Sequence, residues 1–512
     1  MKKSVPFIVL IVFFFETYSQ QQLLPIQKLD SFISKTMDDW HVMGVSVAVV
    51  KKNEVIFSRG YGYRDHAKKK PVTENTIFPI ASCSKTFASA LMGMASEEKK
   101  IELNKPVHNY LPGFNLYTED LTQKATIKNL LTHSTGLPGH DWAWTFNTNY
   151  PSEVYLQRIK NLAPSYALGT KFQYSNFSFF VLGVLAEKIY NKNWVELVNE
   201  KLLHPLGMNN TAGNYTSLKD HENLSLTYQY RDSFKLEEIK QMDDLLAAGS
   251  ILSTSGDLAR WLQMWINGGV YKDKRILSAE YVNQAITPAI VVTDEINAGS
   301  VDEPMTNMGL SWFLSSYRGH YKAHHDGNLA GYSSCITFFP FDSLGIVVLA
   351  NQNSSMLTRL IPNFIADIIF NLDVHDKNTD WLARRKKFEA ILKNPPAINL
   401  DTVKQKPQLS FASYCGEFYN PGYGTVKISP YGNGLLLTYE NLKLVLISKG
   451  TGHTFSSHHI EDNLIYQQRG EGDAIFKTGK NGDVESFSIP FEPEVDAIVF
   501  SIKNKSVASK KN

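Results

Sequence analysis

The sequence predicts an α+β unit followed by a small all-β unit, on three observations. Apolar, β-branched runs, "GVSVAVV" and "GIVVLANQ", stand near the two ends of the first 370 residues. The segment between them reads mostly as helix, so its sheet is assembled from distant parts of the chain. From about Phe411 onward only short alternating strands remain, separated by turn signals such as "YGNG" and "GKNGD". A chain of 512 residues accommodates about two to four domains, and 43 % hydrophobic content suffices for a large core.

The elements follow in order. Lys2 and Lys3, the apolar "VPFIVLIVFFF" and the polar "TYSQ" have the pattern of a secretory signal peptide over residues 1–19, with cleavage after Ser19. The apolar run is short for a membrane anchor, and no later segment is long and apolar enough to span. The expectation is an exported protein, periplasmic or secreted. Residues 20–375 form the first unit. Ile26, Leu29, Phe32, Ile33, Met37 and Trp40 recur at helical spacing. "GVSVAVV" and "VIFSRGYGY" make a hairpin around "KKNE". "ASALMGMASEEKK" continues as helix, residues 125 to 270 are mostly helical, and strands return at "SWFLSSY", "YSSCITFFP" and "GIVVLANQ". "MLTRLIPNFIADIIFNL" closes the unit as a helix. Residues 376–409 hold a charged helix and the Pro-containing linker "PPAINLDTVKQKPQ". Residues 410–503 are the all-β unit, a barrel or sandwich, and 504–512 a loose basic tail.

Composition excludes some functions. With 52 basic and 50 acidic residues the net charge is +2, which argues against a nucleic-acid partner. Cys83, Cys335 and Cys415 are far apart and have no metal-type spacing. No HExxH or Walker-type loop occurs, so neither a metal nor an organic cofactor is implied. His324, His325 and Asp326 are consecutive; on a strand they point to alternate faces and chelate poorly. No G-x-S-x-G elbow is present.

The chemistry concentrates at "FPIASCSKTF". A serine hydroxyl needs a neighbouring base to become a nucleophile. Three residues apart on a helix, Ser82 and Lys85 share a face. Burial would lower the lysine's pKa and make its amine a base, and a helix N-terminus offers backbone donors to an oxyanion. The alternative is a capping serine beside a surface lysine. Ser-x-x-Lys recurs at Ser96–Lys99, and Tyr-x-Asn, found at Tyr174, recurs at Tyr281, Tyr431 and Tyr439. His325-Asp326-Gly327 is the one His-x-Gly in the chain.

In this order, Ser82-Cys83-Ser84-Lys85, Tyr174-Ser175-Asn176 and His325-Asp326-Gly327 resemble the three active-site motifs of the serine β-lactamase and penicillin-binding-protein superfamily. The resemblance is to the class C β-lactamase-like branch, which includes D-peptidases and esterases. "LLTHSTGLPG", "HPLGMNNT" and "AAGSILSTSGDLARWL" extend it over residues 26 to 370. It implies a β-lactamase/transpeptidase-like fold and a serine hydrolase acting through an acyl-enzyme on a small-molecule or peptide amide or ester. It makes Ser82 the nucleophile, with Lys85 and Tyr174 sharing the proton transfers. Asn176 would bind the substrate's acyl side chain. His325, Asp326 and Gly327 would flank the cleft on an edge strand, and the backbone N–H groups of Ser82 and Asn328 would form the oxyanion hole. "YCGEFYNPGYGTVKIS" makes the last unit similar to the lipocalin-like domain of some relatives; shaping access, binding a ligand or mediating assembly all stay open for it.

His-Asp-Gly stands where many relatives have Lys-Thr-Gly or Lys-Ser-Gly. Histidine titrates near neutrality, so a substrate carboxylate would lose a dependable cation. A carboxylate at Asp326 would repel an anion if it faced the cleft, or would cap a turn if it pointed away. A neutral or amine-bearing acyl substrate is therefore expected in preference to efficient penicillin hydrolysis. A non-catalytic penicillin-recognising or ligand-binding protein is the alternative. His133 is expected to brace a loop, and Trp142, Trp144, Phe146 and Tyr150 either line the cleft mouth or pack down.

Overall fold

The computed structural model describes residues 24–503 apart from the short segments 145–149, 231–232, 240–242, 294–301, 393–396, 462–463, 466–470 and 493. The expected signal peptide of residues 1–19, the basic tail and Phe146 lie outside the described residues. Among those described, no helix is long and apolar enough to cross a membrane.

A nine-stranded antiparallel sheet carries the first unit. Its strands are β1 (Gly44–Lys51), β2 (Glu54–Asp65), β3 (Lys70–Pro71), β4 (Ile290–Val291), β5 (Thr306–Met308), β6 (Phe313–Tyr317), β7 (His320–Leu329), β8 (Tyr332–Phe339) and β9 (Leu344–Ala350). They lie in the order β4-β5-β6-β7-β8-β9-β1-β2-β3. The β1–β9 pair joins the two apolar runs, from Val45 opposite Ala350 to Lys51 opposite Leu344. Nearly every residue of these two strands is buried, because helices cover both sheet faces.

On one face lie helices α1 (Ile26–Trp40) and α5 (Leu357–Ile369); on the other, α2 (Lys85–Glu97) and α4 (Ser255–Ile266). Helix α3 (Asn176–Tyr190) belongs to the mostly helical segment between the strands. In α1 the 3-to-4-residue spacing buries Leu29, Ile33, Met37 and Trp40, and Phe32 stacks on Phe364 of α5 at 3.7 Å. Helix α2 is buried from Lys85 to Ala95, with Phe87 stacked on Trp261 of α4 at 4.0 Å. An additional hairpin, Thr227–Tyr230 with Phe234–Glu237, interrupts the helical region; its strands alternate but are four residues each, too short to stand out.

The last unit is a closed barrel. Strands β10 (Gly416–Asn420), β11 (Gly424–Tyr431), β12 (Gly434–Tyr439), β13 (Leu442–Ser448), β14 (Thr454–Glu461), β15 (Leu464–Ile465), β16 (Asp473–Thr478), β17 (Val484–Ile489) and β18 (Ile498–Ile502) follow one another around it. β10 pairs with β18 and closes the ring, while the short β15 hangs on β14. Tyr414, Phe418, Phe455, Phe476, Phe487 and Phe500 fill its interior in edge-to-face and stacked contacts. That packing speaks against the expected option of a ligand inside the barrel. All three cysteines are free.

Candidate active site

A strained turn presents Ser82. Ala81 has a positive φ of 46°, costly for a residue with a Cβ. A short 3-10 helix, Ala81–Ser84, then runs into α2. Of residues 76 to 95 all but Ser82 are buried. Lys85 is the first residue of α2 and wholly buried. Its amine donates to Ser82 Oγ at 2.9 Å, to Asn176 Oδ1 at 2.8 Å and to the Ala248 carbonyl at 2.6 Å. Burial lowers its pKa to about 7, although Asp141 and Cys83 pull the other way. The spacing of three on a helical start thus pairs Ser82 with Lys85, whereas Ser96–Lys99 falls at the polar end of α2.

Tyr174 brings the second group. Its apolar surroundings raise its pKa above the usual phenol value, while neighbouring Ser82 acts to lower it. The Lys85 amine lies 5.0 Å from its ring centre. His133 stacks on that ring at 4.4 Å, and its Nδ1 accepts from the Ser175 N–H at 3.1 Å. His133 therefore braces the Tyr174 backbone and ring together. Asn176 opens α3, and its Nδ2 donates to Asp141 Oδ1 at 3.2 Å. Both ends of its amide are thus engaged by the protein.

Strand β7 supplies the third wall. β6 pairs with β7 only between His320 and His324, so residues 325–329 are paired on the β8 side alone. This open edge passes Ser82 closely. A Cβ on Gly327 would lie 2.2 Å from the Ile80 carbonyl, 2.3 Å from Ser334 Oγ and 3.1 Å from the Ser82 nitrogen, so only glycine fits there. His325, on the same face as Gly327, is completely buried. Its Nδ1 lies 2.7 Å from the Asp326 carbonyl and must donate, which leaves Nε2 as a lone-pair acceptor; that atom has no partner.

Two expectations change at this strand. His325 does not titrate near neutrality, because burial lowers its pKa to about 3, with Lys85 adding repulsion. Asp326 does not face the cleft: it sits opposite Cys335 on β8. Strand alternation puts it on the other sheet face from His325 and Gly327. Asn328 is exposed on the open edge, and its Oδ1 accepts from Ser333 Oγ at 2.9 Å.

The structure therefore gathers Ser82, Lys85, Tyr174, Asn176, His325 and Gly327, with Asn328 beside them, and excludes Asp326. Sequence reasoning missed Asp141 and the Ala248 carbonyl. Asp141 directly follows "THSTGLPGH" and, as a lone acid, carries no local signal. Trp142 stacks on Phe491 of the barrel unit at 5.3 Å, Trp144 is buried and Tyr150 is exposed against Arg158. Among the described residues no three His, Cys, Asp or Glu side chains cluster as a metal would require.

This fold, with a serine on a helix start and a buried lysine against it, defines a β-lactamase and penicillin-binding-protein-like member of the serine hydrolases. Residues 29–368 match the family described as Beta-lactamase, and the chain belongs to that family. Residues 400–502 match a domain of unknown function, DUF3471. Protein flp of Staphylococcus aureus (strain MW2) is 26 % identical over 349 residues, covering 67 % of this chain and 66 % of that protein. The chain thus spans just under two thirds of that relative's length. Unguisins hydrolase ungD' of Aspergillus campestris is 29 % identical over 434 residues, covering 78 % and 77 %. The octameric penicillin-binding protein homologue from Pyrococcus abyssi has a similar fold, with a TM-score of 0.62 at 22 % identity, over 93 % of this chain and 100 % of that one.

Proposed function

We propose that the protein is an exported serine hydrolase that cleaves an amide or ester through an acyl-enzyme on Ser82. The observation that carries the reading is the 2.9 Å contact between Ser82 Oγ and the Lys85 amine, a lysine whose burial lowers its pKa to about 7. The neutral amine takes the Ser82 proton as Oγ bonds to the substrate carbonyl carbon. The bond to the leaving group then breaks, and Tyr174, kept protonated by its surroundings, passes a proton to that group and is reprotonated from Lys85. Water attacks the ester in the reverse sense and frees Ser82. The backbone N–H groups of Ser82 and Asn328 receive the oxyanion; the close approach of Gly327 to the Ser82 nitrogen supports this.

A neutral or amine-bearing acyl group suits the cleft better than a carboxylate. His325 is uncharged and offers an acceptor, where a lysine would offer a cation. D-amino-acid peptides and esters are thus favoured over β-lactams. The name of the Aspergillus relative, a hydrolase, points the same way as to reaction class. The leader supports export, which detection of a mature chain starting at Gln20 would check.

The test is a panel of p-nitrophenyl esters, D-amino-acid amides and nitrocefin, with fluorophosphonate labelling. Wild type is expected to label and turn over esters or amides, and Ser82→Ala to do neither. Nitrocefin turnover equal to that of a dedicated β-lactamase would overturn the substrate preference. Absence of labelling in wild type would favour a ligand-binding protein instead.

A further inference from the structure

The loop that holds Asp141 is gripped from outside the hydrolase unit. Glu492, on the segment between β17 and β18, accepts from the Trp142 N–H at 2.9 Å. The Tyr439 hydroxyl, on β12, lies 2.8 Å from the Trp142 carbonyl and 2.7 Å from that of Tyr423. Phe491 stacks on the Trp142 ring, and the Tyr423 hydroxyl is 2.7 Å from His140 Nδ1. The barrel thus contacts residue 142 through its N–H, its carbonyl and its ring. Glu492 is only 8 % exposed, and a buried acceptor holding a backbone N–H fixes that peptide's direction.

The contacts continue inward without a gap. Asp141 accepts from Asn176 Nδ2, Asn176 Oδ1 accepts from Lys85, and Lys85 donates to Ser82. An amide is a donor at one end and an acceptor at the other. With its nitrogen held by the Asp141 carboxylate, Asn176 turns its oxygen to the Lys85 amine. Without that hold a flip would set an NH2 group against the lysine.

We propose that the C-terminal barrel is a working part of the active site, with Glu492 a positioning residue that acts through Trp142 and Asp141 on the Asn176 amide and so on Lys85. This rests on the reading of Ser82 as the nucleophile. It gives the DUF3471 unit of this chain a role: it completes the hydrogen-bond support of the catalytic lysine. Burial raises the Glu492 carboxyl to about 7, with Asp141 and Glu471 adding to the rise, so glutamine is a close substitute that keeps an acceptor for Trp142.

The experiment measures the rate at which a fluorophosphonate labels Ser82 in the full-length protein, with thermal unfolding in parallel. Glu492→Ala and Asp141→Ala are each expected to slow labelling about tenfold, the effect of one lost buried hydrogen bond. Glu492→Gln is expected to stay within about twofold. The double variant Glu492→Ala/Asp141→Ala is expected to label no more slowly than the worse single variant, because the two act in series. Multiplying effects in the double variant, or a wild-type rate in Glu492→Ala, overturn the proposal. If Glu492→Ala fails to fold, Tyr439→Phe carries the same cycle with Asp141→Ala: sub-multiplicative slowing supports the proposal, and a wild-type rate overturns it. No labelling of the wild type would overturn the nucleophile reading, and the proposal with it; labelling with independent effects would overturn the proposal alone.

Discussion

The two large sheets of this molecule each have nine strands and opposite fates. The barrel pairs its first and last strands and fills its centre with aromatic rings. The hydrolase sheet is covered on both faces, yet leaves β7 paired on one side only beyond His324. Beside that edge, buried polar atoms lack partners: Gln173 Oε1, Ser175 Oγ, His133 Nε2 and His325 Nε2. Unpaired buried polar groups are destabilising, and here they surround Tyr174. Closure serves stability in one unit; in the other, an open edge and unmet buried polar groups are gathered around Tyr174 and Ser82.

The largest expected effect tests the closed side. Phe476 is 2 % exposed and touches the rings of Tyr414, Phe418, Phe455 and Phe487. Phe476→Ala should cost about 3–5 kcal/mol, measured by denaturant or thermal unfolding. A cost below about 1 kcal/mol would mean that the interior behaves as a cavity rather than a packed core. On the open side, Gly327→Ala sets a methyl group against Ile80 and Ser334. It should push β7 away from Ser82 and lower kcat/KM about a hundredfold, as a shift on the order of 1 Å does, while unfolding changes by about 1–3 kcal/mol. An alanine variant with unchanged kcat/KM would show that the tight approach of this edge is not needed.

Much of this was legible in the sequence, for reasons that differ by element. The α+β assembly followed from β1 and β9, whose apolar runs announce strands buried on both faces. Ser82, Lys85, Tyr174 and His325 were found because their motifs keep a fixed order along the chain. The direction of Asp326 was not legible: strand alternation shows only that it opposes His325, and the facing neighbour, Cys335, is set by tertiary register. The state of His325 was misjudged because burial, a property of the assembled fold, overrides its free pKa. Asp141 and Glu492 escaped notice because lone acids carry no local signal, and their partners lie 35 and 350 positions away.

The smallest expected effect joins both sides of the comparison, because it depends on a buried charge rather than on packing. As the proposed base, Lys85 would act only when neutral, and burial lowers its pKa to about 7. The rate of Ser82 acylation should therefore rise about tenfold per pH unit below that value and level off above it. The sign for stability follows from the same shift. Between about 7 and the free-lysine value of 10.5 the unfolded chain binds the proton that the folded protein has lost. The cost of burying Lys85 is therefore fully present below about pH 7 and shrinks as pH rises through that window. Asp141 raises the lysine's pKa, so Asp141→Asn should move the midpoint of the acylation profile to lower pH. A profile that stays in place would mean that the Asp141 charge does not reach Lys85, and that its link to Asn176 is the whole of its influence.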